Sequence, residues 1–72
     1  MQKDLKMTIA ENLKKDREAK GLTHSEYAKR IGSNRTTMYM YESGKRMLPT
    51  EVLFRIFQEY GTTPNQMLGV KD

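Results

Sequence analysis

The sequence predicts an all-α protein with five helices, and two observations support this. Apolar residues recur with helical spacing, most clearly at Leu53, Ile56, Phe57 and Tyr60, which fall at positions i, i+3, i+4 and i+7. Residues typical of helix ends separate the apolar segments, and no segment alternates apolar and polar residues with the period of a strand. We expect one compact domain covering residues 1–72, with helices at about residues 5–20, 24–31, 35–43, 50–60 and 64–68.

A row of apolar residues four positions apart, Leu5, Ile9 and Leu13, predicts the first helix. Asp4 and Thr8 are both suitable N-caps, so the helix is expected to start between them. It is expected to end at the first glycine of the chain, because glycine tolerates the positive φ that often follows a helix C-terminus.

The second helix begins with a capping-box pattern, in which Thr23 is the N-cap and Glu26 follows three residues later. Gly32 is expected to end this helix, and either Ser33 or Asn34 is expected to cap the third. No proline or glycine interrupts the third helix before its predicted end.

Prolines mark the start of the last two helices. Pro49 suits the first position of the fourth helix, and Glu51 suits its first turn because it complements the helix dipole. Thr63 is expected to cap the fifth helix, with Pro64 at its first position. The apolar residues of this half are assigned to the core or to an interface (Met47, Leu48, Leu53, Ile56, Phe57, Tyr60), or to a dimer patch or the closure of the core (Pro64, Met67, Leu68, Val70).

Composition restricts the classes of function. The net charge of +4 favours an acidic partner such as nucleic acid. The chain has no cysteine and a single histidine, so it offers neither a thiolate metal site nor a nucleophile–base set, and we expect no enzyme, cofactor or small-molecule ligand. With no apolar run of about 20 residues and no signal peptide, we expect a cytoplasmic protein. The basic residues are spread over several helices and not along one amphipathic face, so we expect no membrane binding.

The second and third helices have the spacing of a helix-turn-helix. The small residue Ala28 stands where the two helices would cross, and Gly32 follows four residues later, where the turn needs a positive φ. Met38 comes six residues after the glycine and Tyr41 three residues further, which places two apolar side chains on the inner face of the third helix. No single one of these features is specific, but together they favour a helix-turn-helix whose second helix enters the DNA major groove.

The stretch GLTHSEYAKRIGSNRTTMYMYESGKR closely resembles the Cro/cI-type (Xre-like) helix-turn-helix family of phage and bacterial repressors. The resemblance covers the chain from about Ile9 to Leu68. It implies a compact five-helix, lambda-repressor-like domain that binds operator DNA, often as a two-fold dimer.

The resemblance also implies an ion pair between Arg17 and Glu42. If the pair is buried, removing one partner would cost about 3–5 kcal/mol of stability. If it is exposed, the pair would contribute about 0–1 kcal/mol. The chain departs from the family at His24, where relatives usually have glutamine, and at Tyr27 and Asp16, where they usually have leucine. We expect Tyr27 to fill the leucine site with its hydroxyl at the rim, and Asp16 to face solvent.

The outer face of the third helix supplies the candidate base contacts. The N-terminal residues of a recognition helix lie closest to the base edges, and arginine can bind guanine O6 and N7 together. The alternatives are that Arg35 contacts only a phosphate and that Thr36 lies on a solvated surface. A further alternative is that Tyr39 or Met40 packs inward. The residues predicted to contact bases are Arg35, Thr36, Tyr39 and Met40.

Polar and basic residues around the third helix supply the candidate phosphate contacts. His24 stands at a helix N-terminus, where backbone amides favour an anion, and Lys45 directly follows the third helix. The alternatives are that His24 is simply exposed to solvent and that Lys45 and Arg46 form a solvated basic loop. The residues predicted to contact phosphate are His24, Asn34, Thr37, Ser43, Lys45 and Arg46.

The sequence therefore predicts a transcriptional regulator, most simply a repressor, that binds double-stranded DNA and could form a homodimer on a palindromic operator. The alternative is a protein-interaction module, such as the antitoxin or partner of a small regulatory complex. No long disordered arm for wrapping a partner is present, which favours DNA binding.

Overall fold

A computed structural model describes residues 4–71 and confirms the predicted all-α class within them. The first three helices each end one residue before the predicted position. In each of these helices the predicted last residue is the C-cap instead, and its backbone N–H still donates to a carbonyl of the helix. The helices are α1 (Leu5–Ala19), α2 (His24–Arg30), α3 (Arg35–Glu42), α4 (Thr50–Tyr60) and α5 (Pro64–Leu68).

Local side-chain hydrogen bonds determine where the first three helices begin. Asp4, rather than Thr8, caps α1 and accepts from a backbone N–H three residues on, at 2.9 Å. Thr23 and Glu26 form the predicted capping box of α2, with bonds of 3.1 and 2.8 Å. Asn34 caps α3 and accepts from a backbone N–H at 2.9 Å, which decides between the two candidates at this position.

The two proline-containing helix starts differ from each other. Pro49 was predicted to occupy the first position of α4, but its ψ of 152° is extended. It is therefore the N-cap, and the helix begins at Thr50. The start of α5 agrees with the prediction, since Thr63 caps the helix and Pro64 is its first residue. Gln66 completes a capping box there.

The core lies between α1, α3 and α5, with α2 packed on α3 and α4 packed on α5. Side chains from every helix and from the loop before α4 contribute to it. Ala28 is fully buried, as expected for the position where α2 crosses α3. The buried apolar cluster contains Ile9, Leu13, Tyr27, Ala28, Ile31, Met38, Tyr41, Leu48, Ile56 and Met67.

The turn between α2 and α3 depends on one glycine. Gly32 has a φ of +70°, a conformation that side chains of L-residues rarely adopt. The N–H of Ser33 donates to the carbonyl of Ala28 at 2.9 Å and closes the end of α2. This fixed turn sets the angle at which α3 leaves α2, and Met38 and Tyr41 are buried as predicted.

The structure separates core from surface in the C-terminal half. Ile56 and Met67 are buried, so Met67 closes the core and does not belong to a dimer patch. Phe57, Met47 and Val70 are exposed and therefore lie outside the core.

The expectation that Asp16 faces solvent is wrong, because its carboxylate accepts three hydrogen bonds and joins α1 to two other elements. The Tyr27 hydroxyl donates to Oδ2 at 2.6 Å, the Thr62 hydroxyl donates to Oδ1 at 2.9 Å, and Lys20 donates to the same Oδ1. Tyr27 is fully buried rather than reaching the rim, and its ring stacks on Tyr60 with centroids 4.4 Å apart.

These contacts change the titration of both groups. Burial raises the pKa of Asp16, but the hydrogen bonds that its carboxylate accepts outweigh this effect and hold the pKa below its ordinary value. Burial, and then the hydrogen bond to Asp16, raise the pKa of Tyr27. Asp16 is therefore a charged acceptor that ties α1 to α2 and to the loop before α5.

None of the helices within residues 4–71 is both long and apolar enough to cross a membrane.

Candidate nucleic-acid interface

The outer face of α3 and the loop that follows it form one shallow groove. The four predicted base-contacting residues lie together here because the helical period of 3.6 turns them away from the buried Met38 and Tyr41. Tyr39 and Met40 are both exposed, so neither packs inward. The groove is lined by Arg35, Thr36, Tyr39, Met40, Ser43 and Lys45.

Arg35 and Tyr39 contact each other along this face. An Nη2 of Arg35 donates to the Tyr39 hydroxyl at 3.4 Å, and the guanidinium carbon lies 5.4 Å from the centre of the tyrosine ring. Residues four apart on a helix are neighbours, so this contact is local to α3. It draws the guanidinium towards Tyr39, one turn further along α3.

His24 reaches the same face from α2. It is the first residue of that helix, directly after the cap Thr23. Its imidazole stacks on the Tyr39 ring, with centroids 4.1 Å apart and planes inclined by 19°. Its Nε2 atom lies 3.3 Å from Oε1 of Glu42, so the ring also contacts the C-terminal end of α3.

The ion pair of Arg17 and Glu42 lies beneath this cluster and is buried. Nε and Nη2 of the arginine donate to the two carboxylate oxygens at 2.8 and 3.1 Å, and Nη1 donates to the carbonyl of Leu22 at 2.9 Å. The two side chains are only 10 and 6% exposed. The paired carboxylate raises the pKa of Arg17, and the pair fixes α1 against the end of α3.

Three of the predicted phosphate contacts also have structural roles. Asn34 caps α3 through its Oδ1 atom. The Ser43 hydroxyl donates to the carbonyl of Met40 at 3.2 Å. Thr37 is partly buried, and its backbone N–H is the donor to the cap of α3.

The two basic residues after α3 are exposed and their backbone is held in place. The N–H groups of Lys45 and Arg46 both donate to the carbonyl of Met40, at 3.0 and 3.2 Å. This arrangement keeps two cationic side chains beside the end of α3, where a DNA backbone would pass if the helix lay in the major groove.

The contacts of His24 with Tyr39 and Glu42 were not predicted from the sequence. The residues are 15 and 18 positions apart, and no local spacing connects them. By contrast, the pairing of Asp16 with Tyr27 had a signal, because the resemblance implies leucine at both positions and this chain has a polar group at each. Considering the two departures together would have suggested a hydrogen-bonded pair.

Comparison with known protein families places the chain in one of them. Residues 13–67 match the model of a helix-turn-helix family, which is most of the chain. Comparison with curated proteins and with solved structures gave no match. The match supports a DNA-binding regulator of transcription as the general class of this protein. Within that class, the chain belongs to the Cro/C1-type (Xre-like) helix-turn-helix family.

Proposed function

We propose that the protein represses transcription by binding a specific operator in double-stranded DNA, with α3 in the major groove. The observation that carries this proposal is the division of α3 into two faces. Met38 and Tyr41 hold the helix in the core, while Arg35, Thr36 and Tyr39 stand exposed along one groove. An exposed helix face of this kind, on the helix that follows the turn at Gly32, is typical of a recognition helix that docks on DNA.

Arg35 is the candidate for the strongest base contact. It lies at the first position of α3, the end that approaches the base edges most closely. Its guanidinium can donate to O6 and N7 of one guanine. Thr36, Tyr39 and Met40 present methyl, ring and thioether groups, which suit the methyl groups of thymine.

Phosphate contacts come from both ends of α3. Lys45 and Arg46 follow its C-terminal end, and Asn34 and Thr37 stand at its N-terminal end. Each phosphate that a cation neutralises contributes a slope of about −0.9 to the dependence of log affinity on log salt concentration. Binding is therefore expected to weaken steeply as salt is raised.

A homodimer on a two-fold symmetric operator completes the proposal, in the cytoplasm where such DNA would lie. The domain is 34 Å along its longest axis, which is comparable with the separation of about 34–36 Å that two α3 helices would need to enter successive turns of the major groove. Phe54 and Phe57 are 57 and 45% exposed on α4 and supply an apolar surface for the second copy.

A comparison of Arg35→Ala with Arg30→Ala tests the proposal. The probes are a duplex recovered by the wild-type protein from a random DNA pool and a scrambled duplex of the same composition. Loss of a bidentate guanine contact, worth about 1–3 kcal/mol, should weaken binding of the recovered duplex by roughly 5–150-fold, and that of the scrambled duplex much less.

Arg30 is a matched control because it is an exposed arginine at the end of α2 whose guanidinium lies 5.9 Å from the centre of the Tyr60 ring, outside the groove. Its substitution should change binding of the two duplexes little and equally. Equal losses on both duplexes for Arg35→Ala would contradict the assigned base contact.

A further inference from the structure

We propose that His24 is a positioning residue, which holds Tyr39 and, through it, Arg35 in the geometry that recognises bases, and is not a phosphate ligand. This inference rests on the proposed DNA-binding function and deepens it. It is based on four side chains, each of which contacts the next in space. They run from the buried Glu42 through His24 and Tyr39 to the exposed Arg35.

The first step is the fixed base of this chain of contacts. Glu42 is held by two hydrogen bonds from Arg17, and its side chain is almost fully buried. The carboxylate therefore has a defined position. Its Oε1 atom lies 3.3 Å from Nε2 of His24, which fixes one edge of the imidazole.

The second step is the stack of the two rings. The capping box of Thr23 and Glu26 fixes the first turn of α2, where His24 stands. The imidazole then covers one face of the Tyr39 ring at a centroid distance of 4.1 Å. Stacked aromatic pairs prefer such close, nearly parallel arrangements. The Tyr39 ring is thereby restricted to one orientation while its other parts remain exposed.

The third step connects the ring to the guanidinium. The Tyr39 hydroxyl accepts from Arg35, and the guanidinium lies near the ring. A free arginine side chain loses rotamer freedom when it binds a base, and a side chain that is already oriented loses less. His24 thus acts on base recognition through Tyr39 and without touching DNA.

The surroundings of His24 disfavour the phosphate role predicted from its position. Nε2 faces the Glu42 carboxylate, and one ring face is covered by Tyr39. A phosphate brought to this edge of the ring would meet the negative charge of the carboxylate. An imidazole in this position is better suited to contact side chains than to bind an anion.

Two roles for His24 give opposite results in titrations of His24→Ala, Tyr39→Ala and the double variant against the recovered and scrambled duplexes. For a positioning residue, His24→Ala weakens binding of the recovered duplex more than that of the scrambled one. The salt slope stays at the wild-type value. The double variant binds no more weakly than Tyr39→Ala alone, because the effect of His24 passes through Tyr39.

A phosphate ligand would behave differently in each of these measurements. Both duplexes would be bound more weakly by the same factor, the salt slope would fall by about 0.9, and the two substitutions would add. That pattern would overturn the inference while leaving the proposed function intact. A wild-type protein that does not distinguish the two duplexes would instead overturn the proposed function, and the inference with it.

A rescue variant and a DNA-free measurement complete the test. His24→Phe keeps a flat ring over Tyr39 but can neither contact the Glu42 carboxylate through a nitrogen nor donate to phosphate, so it should retain part of the preference for the recovered duplex that His24→Ala loses. In the free protein, the NMR signals of the Tyr39 ring protons should move in His24→Ala and stay closer to wild type in His24→Phe. Unchanged signals in both variants would show that the stack does not exist in solution.

Discussion

Replacing Arg17 by methionine tests how the recognition helix is held on the rest of the domain. The substitution removes both hydrogen bonds to Glu42 and the one to the Leu22 carbonyl, and it keeps an apolar side chain of similar length. It leaves a carboxylate that is only 6% exposed without its main partner. Removing one member of a buried pair costs about 3–5 kcal/mol.

This loss is large for a protein of this size. At about 0.05–0.15 kcal/mol per residue, a chain of 72 residues has a free energy of unfolding of roughly 4–11 kcal/mol. Arg17→Met should therefore remove about a quarter of the stability or more. Urea denaturation followed by helical circular dichroism measures the change, provided that the slope of the unfolding free energy with urea is unchanged.

Arg55 and Glu59 supply a matched control within the same chain. Their Nε and Oε2 atoms are 3.9 Å apart, and their side chains are 51 and 40% exposed. Arg55→Met should therefore cost no more than about 1 kcal/mol. If Arg17→Met cost as little as Arg55→Met, the pair with Glu42 would be solvated. That result would refute the claim that this pair fixes α3 against α1.

Two further predictions concern the carboxylate network of Asp16. Tyr27→Phe removes a buried hydroxyl that donates to the charged carboxylate and should cost about 1.5–3 kcal/mol in urea denaturation, and a cost below about 0.5 kcal/mol would contradict the bond. Because the folded pKa of Asp16 is lowered, its charged form stabilises the fold above the ordinary pKa near 3.8, and this stability is lost as the pH falls through the folded value. The stability gap between wild type and Asp16→Asn should therefore shrink in thermal melts as the pH is lowered from about 4 to 2, and a constant gap would exclude this linkage.

Features encoded by nearby residues could be predicted from the sequence. The capping box of Thr23 and Glu26 and the positive φ of Gly32 depend on residues within a single turn, so their spacing is visible in the chain. These local features set the order and ends of the helices. The buried pair of Arg17 and Glu42 was anticipated only through the resemblance to a known family, since 25 residues separate its members.

Contacts between helices were predicted poorly, because they depend on how the helices pack. The departures at Asp16 and Tyr27 were considered one at a time: Asp16 was placed towards solvent, and Tyr27 was placed in the leucine site with its hydroxyl at the rim. In the fold they face each other and bond at 2.6 Å, so each explains the other. The stack of His24 on Tyr39 is of the same kind, since the distance between α2 and α3 is set by Ala28 and Gly32 and not by the two rings.

The amphipathic pattern of α4 overstated its buried face. Its four apolar residues at helical spacing suggest one continuous stripe, yet Ile56 is fully buried and Phe57 is exposed. In a small domain, the surface of the neighbouring helices is too limited to cover a wide stripe. The uncovered part of the stripe, together with Phe54, is the surface proposed for the second copy.

Selection of bound fragments from a random DNA pool tests the central proposal most directly. The wild-type protein should enrich a two-fold symmetric consensus whose half-sites are about one DNA turn apart. A parallel selection with Arg35→Ala should lose a guanine from each half-site and keep the spacing. The absence of any enriched sequence at low salt, or a consensus that Arg35→Ala leaves unchanged, would contradict base recognition by α3.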